Sequence, residues 1–125
     1  MIPVRRPREL AAALPELWSP RVIGEVDEVY VKVARVLGDF PWHHHENEDE
    51  MFFVLAGHLR IELEDGVLEL GPGDMTVVPK GVNHRPVAEA EVQLLLVERK
   101  NTLHTGNVVT EQTRSLADQL RPTGE

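Results

Sequence analysis

The chain has no cysteine, which excludes a disulfide framework and any thiolate metal site. It has no apolar run near the length of a membrane span, and Pro3 and Pro7 stand where a signal peptide would carry its apolar region. A cytoplasmic protein is therefore expected, with no membrane partner. Positive charge is also scarce: 13 Lys and Arg against 21 Asp and Glu give a net charge of -8. Contact with nucleic-acid phosphates needs a basic face, so nucleic acid is not an expected partner. Internal repeats and low-complexity tracts are lacking too. What is there is 125 residues, 42% hydrophobic and 27% charged, enough for one soluble domain with a single sizeable core.

Residues 1–8, with three arginines and two prolines, read as an extended arm. From Glu9 onward Leu10, Ala13, Leu14, Leu17 and Trp18 keep the one-face spacing of a helix, with Pro15 set to kink or split it. This stripe predicts a short helix packed outside the main body, or alternatively a dimerisation arm. A homodimer using this segment is the expectation, because sheet edges and apolar stripes both invite a second copy.

The middle of the chain reads as strands between tight turns. Val29 to Leu37 is Val-rich and is predicted to end at Gly38. Phe52 to Ala56 and Leu59 to Leu63 are joined at Gly57-His58; in the second, Leu59, Ile61 and Leu63 alternate with charged residues, giving one buried face. Asp65-Gly66 marks a hairpin, followed by Val67 to Leu70, Met75 to Val78 and Val92 to Val97. Many short strands with Gly, Pro and Asp turns argue for an all-β sandwich or barrel. After Lys100, residues 102–110 read as irregular, with one further strand as an option. Arg114 to Leu120 has room for one or two helical turns with Leu116 and Leu120 stacked, and residues 121–125 are expected to fray.

Chemistry concentrates in residues 38–57. His43 and His45 lie two apart, so on an extended strand both point to one side while His44 faces away. Imidazoles and a carboxylate such as Glu50 are ligands for a divalent first-row metal. A fourth ligand is available at His84. Asp49 is the alternative carboxylate if the register shifts by one. Otherwise Glu46, Glu48 and Asp49 read as a wet loop, His44 and His58 as surface, and Gly57, Gly73 and Gly81 as turn glycines.

Written as H-x-H-x4-E-x6-G, the first stretch runs from His43 through His45 and Glu50 to Gly57. Written as G-x5-P-x-G-x2-H, the second runs from Gly73 through Pro79 and Gly81 to His84. Together and in this order they resemble the two motifs of the cupin superfamily, in its small single-domain, conserved-barrel form. The resemblance implies an all-β double-stranded β-helix, or jelly-roll barrel. Its core would span residues 29–98, after an N-terminal arm and short helix (1–28) and before a C-terminal extension packed on the barrel (99–125). It implies that His43, His45, Glu50 and His84 hold a divalent metal ion: iron, manganese, zinc, nickel or cobalt. Two positions depart from the usual pattern. Gly38 lies five rather than six residues before His43, and Ala88 stands where an Asn is frequent. Neither is a ligand.

Three neutral histidines and one glutamate on a divalent ion leave a formal local charge of about +1. On a six-coordinate metal they leave two neighbouring positions open. That arrangement suits an anionic or polyhydroxylated small molecule offering two oxygens, with the metal polarising a carbonyl or activating water, or with dioxygen chemistry if the metal is iron. Trp42, Phe52 and Arg85 are the candidate pocket residues, Arg85 as a guide for an anion and Phe52 with Val54 as an apolar wall. Phe40, Trp42, Phe52 and Phe53 also fit plain core packing. His104 fits either the pocket mouth or a loop. No catalytic base stands out beyond the ligands. The leading expectation is a metal-dependent isomerase or lyase of a sugar-like or carboxylate substrate, or an oxygenase. A non-catalytic binding or sensing domain and a purely structural metal are the alternatives. Small cupins of this kind are also similar to mannose-6-phosphate isomerase-like and RmlC-like proteins, a likeness of fold that sets no substrate.

Overall fold

The computed structural model describes residues 1–106 and 113–122. In chain order it contains α1 (Pro7–Ala12), β1 (Arg21–Val26), β2 (Val29–Asp39), β3 (Glu50–Ala56), β4 (Leu59–Leu63), β5 (Gly66–Leu70), β6 (Met75–Val78), β7 (His84–Arg99) and α2 (Leu116–Gln119). The pairing order is β1-β2-β7-β3-β6, with β4 joining β5 to β7, and the pairs are antiparallel. β7 organises the whole. Its first residues pair with β4, Leu63 opposite His84, and its last pair with β3, Glu50 opposite Glu98. β2 follows β7 on the other side from Arg99 back to Val87. A strand shared in this way curls the sheet into the expected jelly-roll barrel, whose interior is filled by Val36, Phe52, Val54, Ile61, Val92 and Leu94.

Two strands differ from expectation. β7 starts at His84, eight residues before Val92, because Glu89, Ala90 and Glu91 interrupt the apolar pattern on the outside while the backbone stays extended. β2 does not stop at Gly38. It takes a register shift between Val36 and Gly38, with Gly38 at φ +87°, and runs on to Asp39. Such a bulge bends a strand without ending it. Gly38 and Ala88, the two departures from the family pattern, are register partners across this bend. Beyond it the chain stays alongside β7: Phe40 N–H donates to Pro86 O (3.0 Å), and His43 and His84 exchange backbone bonds of 3.0 and 2.8 Å. The two motifs are thus zipped together by main chain.

β1 was not expected. Its six residues include Arg21, Gly24 and Glu25, which dilute the alternation, and a register shift falls between Val22 and Gly24. α1 does pack outside the barrel, starting at Pro7, where a missing N–H costs nothing. It ends before Pro15. Leu10, Ala11 and Leu14 bury against Ile23 and Val33, so two residues of the stripe are covered by the chain itself, while Ala13 stays exposed and Leu17 half-buried. Trp18 leaves the stripe: at φ +57° it binds through its N–H to Arg35 O and through Nε1 to Leu37 O, both at 2.8 Å. In α2 the buried residue is Gln119, whereas Leu116 and Leu120 are exposed. The optional strand within residues 102–110 falls largely outside the described residues. No helix among the described residues is long and apolar enough to cross a membrane.

Candidate metal centre

His43, His45, Glu50 and His84 are all buried and present one ligand atom each within 4.8 Å of one another. Three different pieces of chain deliver them: the extended segment after β2, the first residue of β3 and the first residue of β7. Two of the three rings are aimed by nearby backbone. Nδ1 of His43 lies 2.9 Å from Pro41 O, and Nδ1 of His84 lies 2.9 Å from Val82 O. A carbonyl only accepts, so both Nδ1 atoms carry the proton and both Nε2 atoms keep a lone pair for a metal.

Glu50 Oε1 lies 3.2 Å from His45 Nε2 and 3.5 Å from His84 Nε2. The atoms approach closely without forming hydrogen bonds, so all three are buried without a bonded partner. Orphaned polar atoms of this kind are costly to bury. Converging on one point with two imidazoles and a carboxylate, they fit a divalent metal. Electrostatics agree. Burial, with help from His84, pushes the His43 pKa down to about 4, keeping the ring neutral. Burial alone would neutralise Glu50, but His45 and His84 outweigh it and hold the carboxyl well below its ordinary range. Burial likewise opposes the His45 cation, yet Glu50 prevails and raises its pKa. A metal would replace that proton in balancing Glu50.

Beside the cluster lies a cavity of about 40 Å³, walled by His43, Glu50, Phe52, Phe40, Trp18 and His104 among others. Space for one water takes about 10–15 Å³ by this measure, so the cavity suits a ligand of few atoms. Phe52 takes its expected place. Trp42 and Arg85 do not: neither is part of the wall. Each is the immediate neighbour of an inward histidine and so faces the opposite way. Arg85 instead holds Glu62 at 2.6 Å, with its guanidinium 5.5 Å from the Trp42 ring centre. Asp49 is no ligand either; its Oδ1 accepts the Lys80 N–H at 2.9 Å. His58 is exposed, as expected of a surface residue, whereas His44 is half-buried.

Several residues escaped the sequence reading. Trp18 stacks on Phe40 at 4.6 Å and closes one side of the cavity. His104, for which the sequence left pocket mouth or loop open, closes another side; burial and then Lys32 push its pKa down to about 4. Behind Glu50 lies Glu98, buried beside Lys32, whose Nζ is 3.3 Å from Glu98 Oε1 and donates to Gln119 Oε1 at 2.6 Å. A charge inside V-Y-V-K-V-A and another inside L-L-L-V-E-R were the available signals. Gly106 packs directly on the backbone of His44.

Residues 33–98 match the cupin domain family. The chain belongs to the cupin domain family. This cupin is similar to a cupin-2 domain containing protein of Shewanella frigidimarina, with 38% identity and a TM-score of 0.74 over 77% of this chain and 94% of the other. It is 38% identical to the uncharacterized protein YdbB of Bacillus subtilis, over 62% of this chain and 70% of that one. It is 34% identical to the acireductone dioxygenase of Bacillus subtilis over 42% of this chain, which is a third of that enzyme's length (33%).

Proposed function

We propose that this cupin is a small metal-dependent enzyme whose substrate is a compact, oxygen-bearing anion or polyol bound at the metal. The observation that carries the reading is the join between a set of buried, partnerless ligand atoms and a cavity with a mostly apolar wall. A metal serving the fold alone has no use for such a cavity, whereas a reacting ligand gains from a dry one in which charges act strongly. His43, His45, Glu50 and His84 would hold the ion. When bound it supplies a positive centre that polarises an oxygen-containing group or, if it is iron, a site for oxygen chemistry. The chain's own part is to keep three imidazole lone pairs and one carboxylate aimed at that point and to exclude water with Phe40, Phe52 and Trp18. Among the two enzyme classes, partial likeness to acireductone dioxygenase favours the oxygenase over the isomerase or lyase. The modest cavity favours one other reading, binding or sensing without turnover.

Elemental analysis of protein expressed without added metal tests the first half; iron is the result that fits oxygenase chemistry. For the second half, glycolate should raise the melting temperature of the metal-loaded protein more than acetate at equal concentration. Equal effects of the two acids, or none, would leave a structural metal as the better account.

A further inference from the structure

We infer that His104 is a ligand-binding residue of this cupin: its imidazole, carrying its single proton on Nδ1, donates a hydrogen bond to an oxygen of the small molecule seated in the cavity. The inference rests on the proposed reading of that cavity as a ligand site.

His104 is buried, and its ring shares the cavity wall with His43, Glu50 and Phe52, 6.2 Å from the Phe40 ring centre. The Arg114 backbone N–H points at His104 Nε2 at 2.7 Å. An amide N–H can only donate, so Nε2 is unprotonated and the neutral ring carries its proton on Nδ1. Among the described residues no hydrogen bond is made by Nδ1. Nδ1 is not among the fully enclosed atoms that lack a partner, so its N–H stays open to an acceptor, which a ligand oxygen in the cavity would supply. The rest of that wall is largely apolar, contributed by Trp18, Phe40, Phe52, Leu94 and Leu96. One donor in an apolar wall sets orientation and selects for an acceptor.

The ring is also held firmly. Gln119 Nε2 donates to Arg114 O at 3.0 Å while Gln119 Oε1 accepts from the buried Lys32. Arg114 is therefore fixed on both sides of its backbone, and through it the tautomer of His104. This gives the C-terminal segment a role at the site. The ligand implied has two oxygens for the metal and a further acceptor oxygen for His104, as an α-hydroxy or α-keto carboxylate has.

The test uses cobalt(II)-loaded wild type and three variants. His104→Asn places an amide N–H near the position of Nδ1, His104→Gln extends its amide toward Nε2, and His104→Phe removes both nitrogens but keeps the bulk. Glycolate is titrated while the visible cobalt bands are followed, since they shift when a ligand enters the metal shell. The Phe and Gln variants should bind glycolate about tenfold more weakly, with Asn staying within about threefold of wild type, as expected for one hydrogen bond lost or kept. All four should bind cobalt equally. Equal glycolate affinity in all four proteins overturns the inference alone. Loss of cobalt from the Phe variant overturns it by making His104 a metal ligand. Wild-type bands indifferent to glycolate overturn both the proposed function and this inference. Imidazole nitrogen NMR gives a separate check in which a proton on Nε2 of His104 overturns the inference. Should the Phe variant misfold, the contrast between Asn and Gln decides.

Discussion

Glu98 sits directly opposite Glu50 on the neighbouring strand, and both carboxyl groups are buried. Two such groups side by side repel unless each has its own countercharge. Glu50 faces the histidine cluster, and Lys32 stands beside Glu98 at 3.3 Å. Burial first, then Glu50, raise the Glu98 pKa, and Lys32 opposes them. The pair is thus a support placed immediately behind a ligand.

Removing Lys32 should leave an uncompensated buried charge. Lys32→Met is expected to destabilise the fold by about 3–5 kcal/mol at neutral pH, read from urea unfolding. Lys32→Met with Glu98→Gln should recover most of the loss, because no charge is then stranded. The sign with pH follows from the raised pKa. A carboxyl raised in the folded state favours folding below its unfolded pKa and loses that contribution as pH climbs through the folded value. The single variant should therefore be closest to wild type in acid. A loss that persists undiminished at low pH would point to packing rather than charge.

The histidines give the metal-free protein the opposite slope. His43 and His104 are each pushed from 6.5 to about 4 in the fold. A depressed pKa means the unfolded chain binds more protons in between, so stability falls as pH drops from 6.5 toward 4. Each contributes at most on the order of 3 kcal/mol over that window. His45, raised, acts in the reverse sense and loses its contribution as pH rises. Glu50, lowered, adds to the acid loss below its ordinary range. Melting temperatures of chelated protein across this window should slope downward into acid, and His104→Asn should shallow the slope. Identical curves for wild type and variant would contradict the buried neutral state of His104.

Metal removal should be visible in stability. An ion held at a thousandfold its dissociation constant contributes about 4 kcal/mol. Chelator should lower the melting temperature of the loaded protein, and His84→Ala should abolish most of that difference. Wild type melting identically with and without chelator would leave the cluster without a metal.

The parts of this molecule written as local patterns were legible in advance. β4 and β6 lie where alternation and turn residues place them, and the spacing of the two motifs brought His43, His45, Glu50 and His84 to one point. What stayed hidden depends on how distant pieces meet. The parity that turned His43 and His84 inward also turned Trp42 and Arg85 outward, but only the backbone pairing of the two motifs makes this plain. Trp18 reached the cavity through a left-handed residue that no helical spacing foretells. Gln119 buries in place of its leucine neighbours because Lys32, 87 residues away, needs an acceptor.

The N-terminal segment leads to a prediction about association. Leu10 and Leu14 bury against Ile23 and Val33 within one chain, so their first duty is to the fold. Leu14→Ala should cost about 2–5 kcal/mol in unfolding experiments and leave the mass in light scattering unchanged. A variant that keeps its stability but changes from dimer to monomer would return the segment to the role of a dimerisation arm.

Gly106 makes the sharpest demand on a single position. It has φ +63°, and a Cβ there would overlap the His44 carbonyl and stand 2.8 Å from His43 Cδ2. Neither neighbour can yield easily, since His43 is held by backbone bonds to His84 and its ring is aimed by Pro41. Gly73 offers a control: its φ is +87° but nothing lies within 4 Å of an added Cβ. Gly73→Ala should cost only the left-handed strain, about 1–2 kcal/mol, and leave metal affinity intact. Gly106→Ala should cost more than this and weaken metal binding as well, because the segment can be accommodated only by displacing His43. Metal titrations of the two variants, alongside their unfolding curves, separate the effects. Equal metal affinity in both would mean that residues around Gly106 move aside freely and that the C-terminal segment does not press on the site.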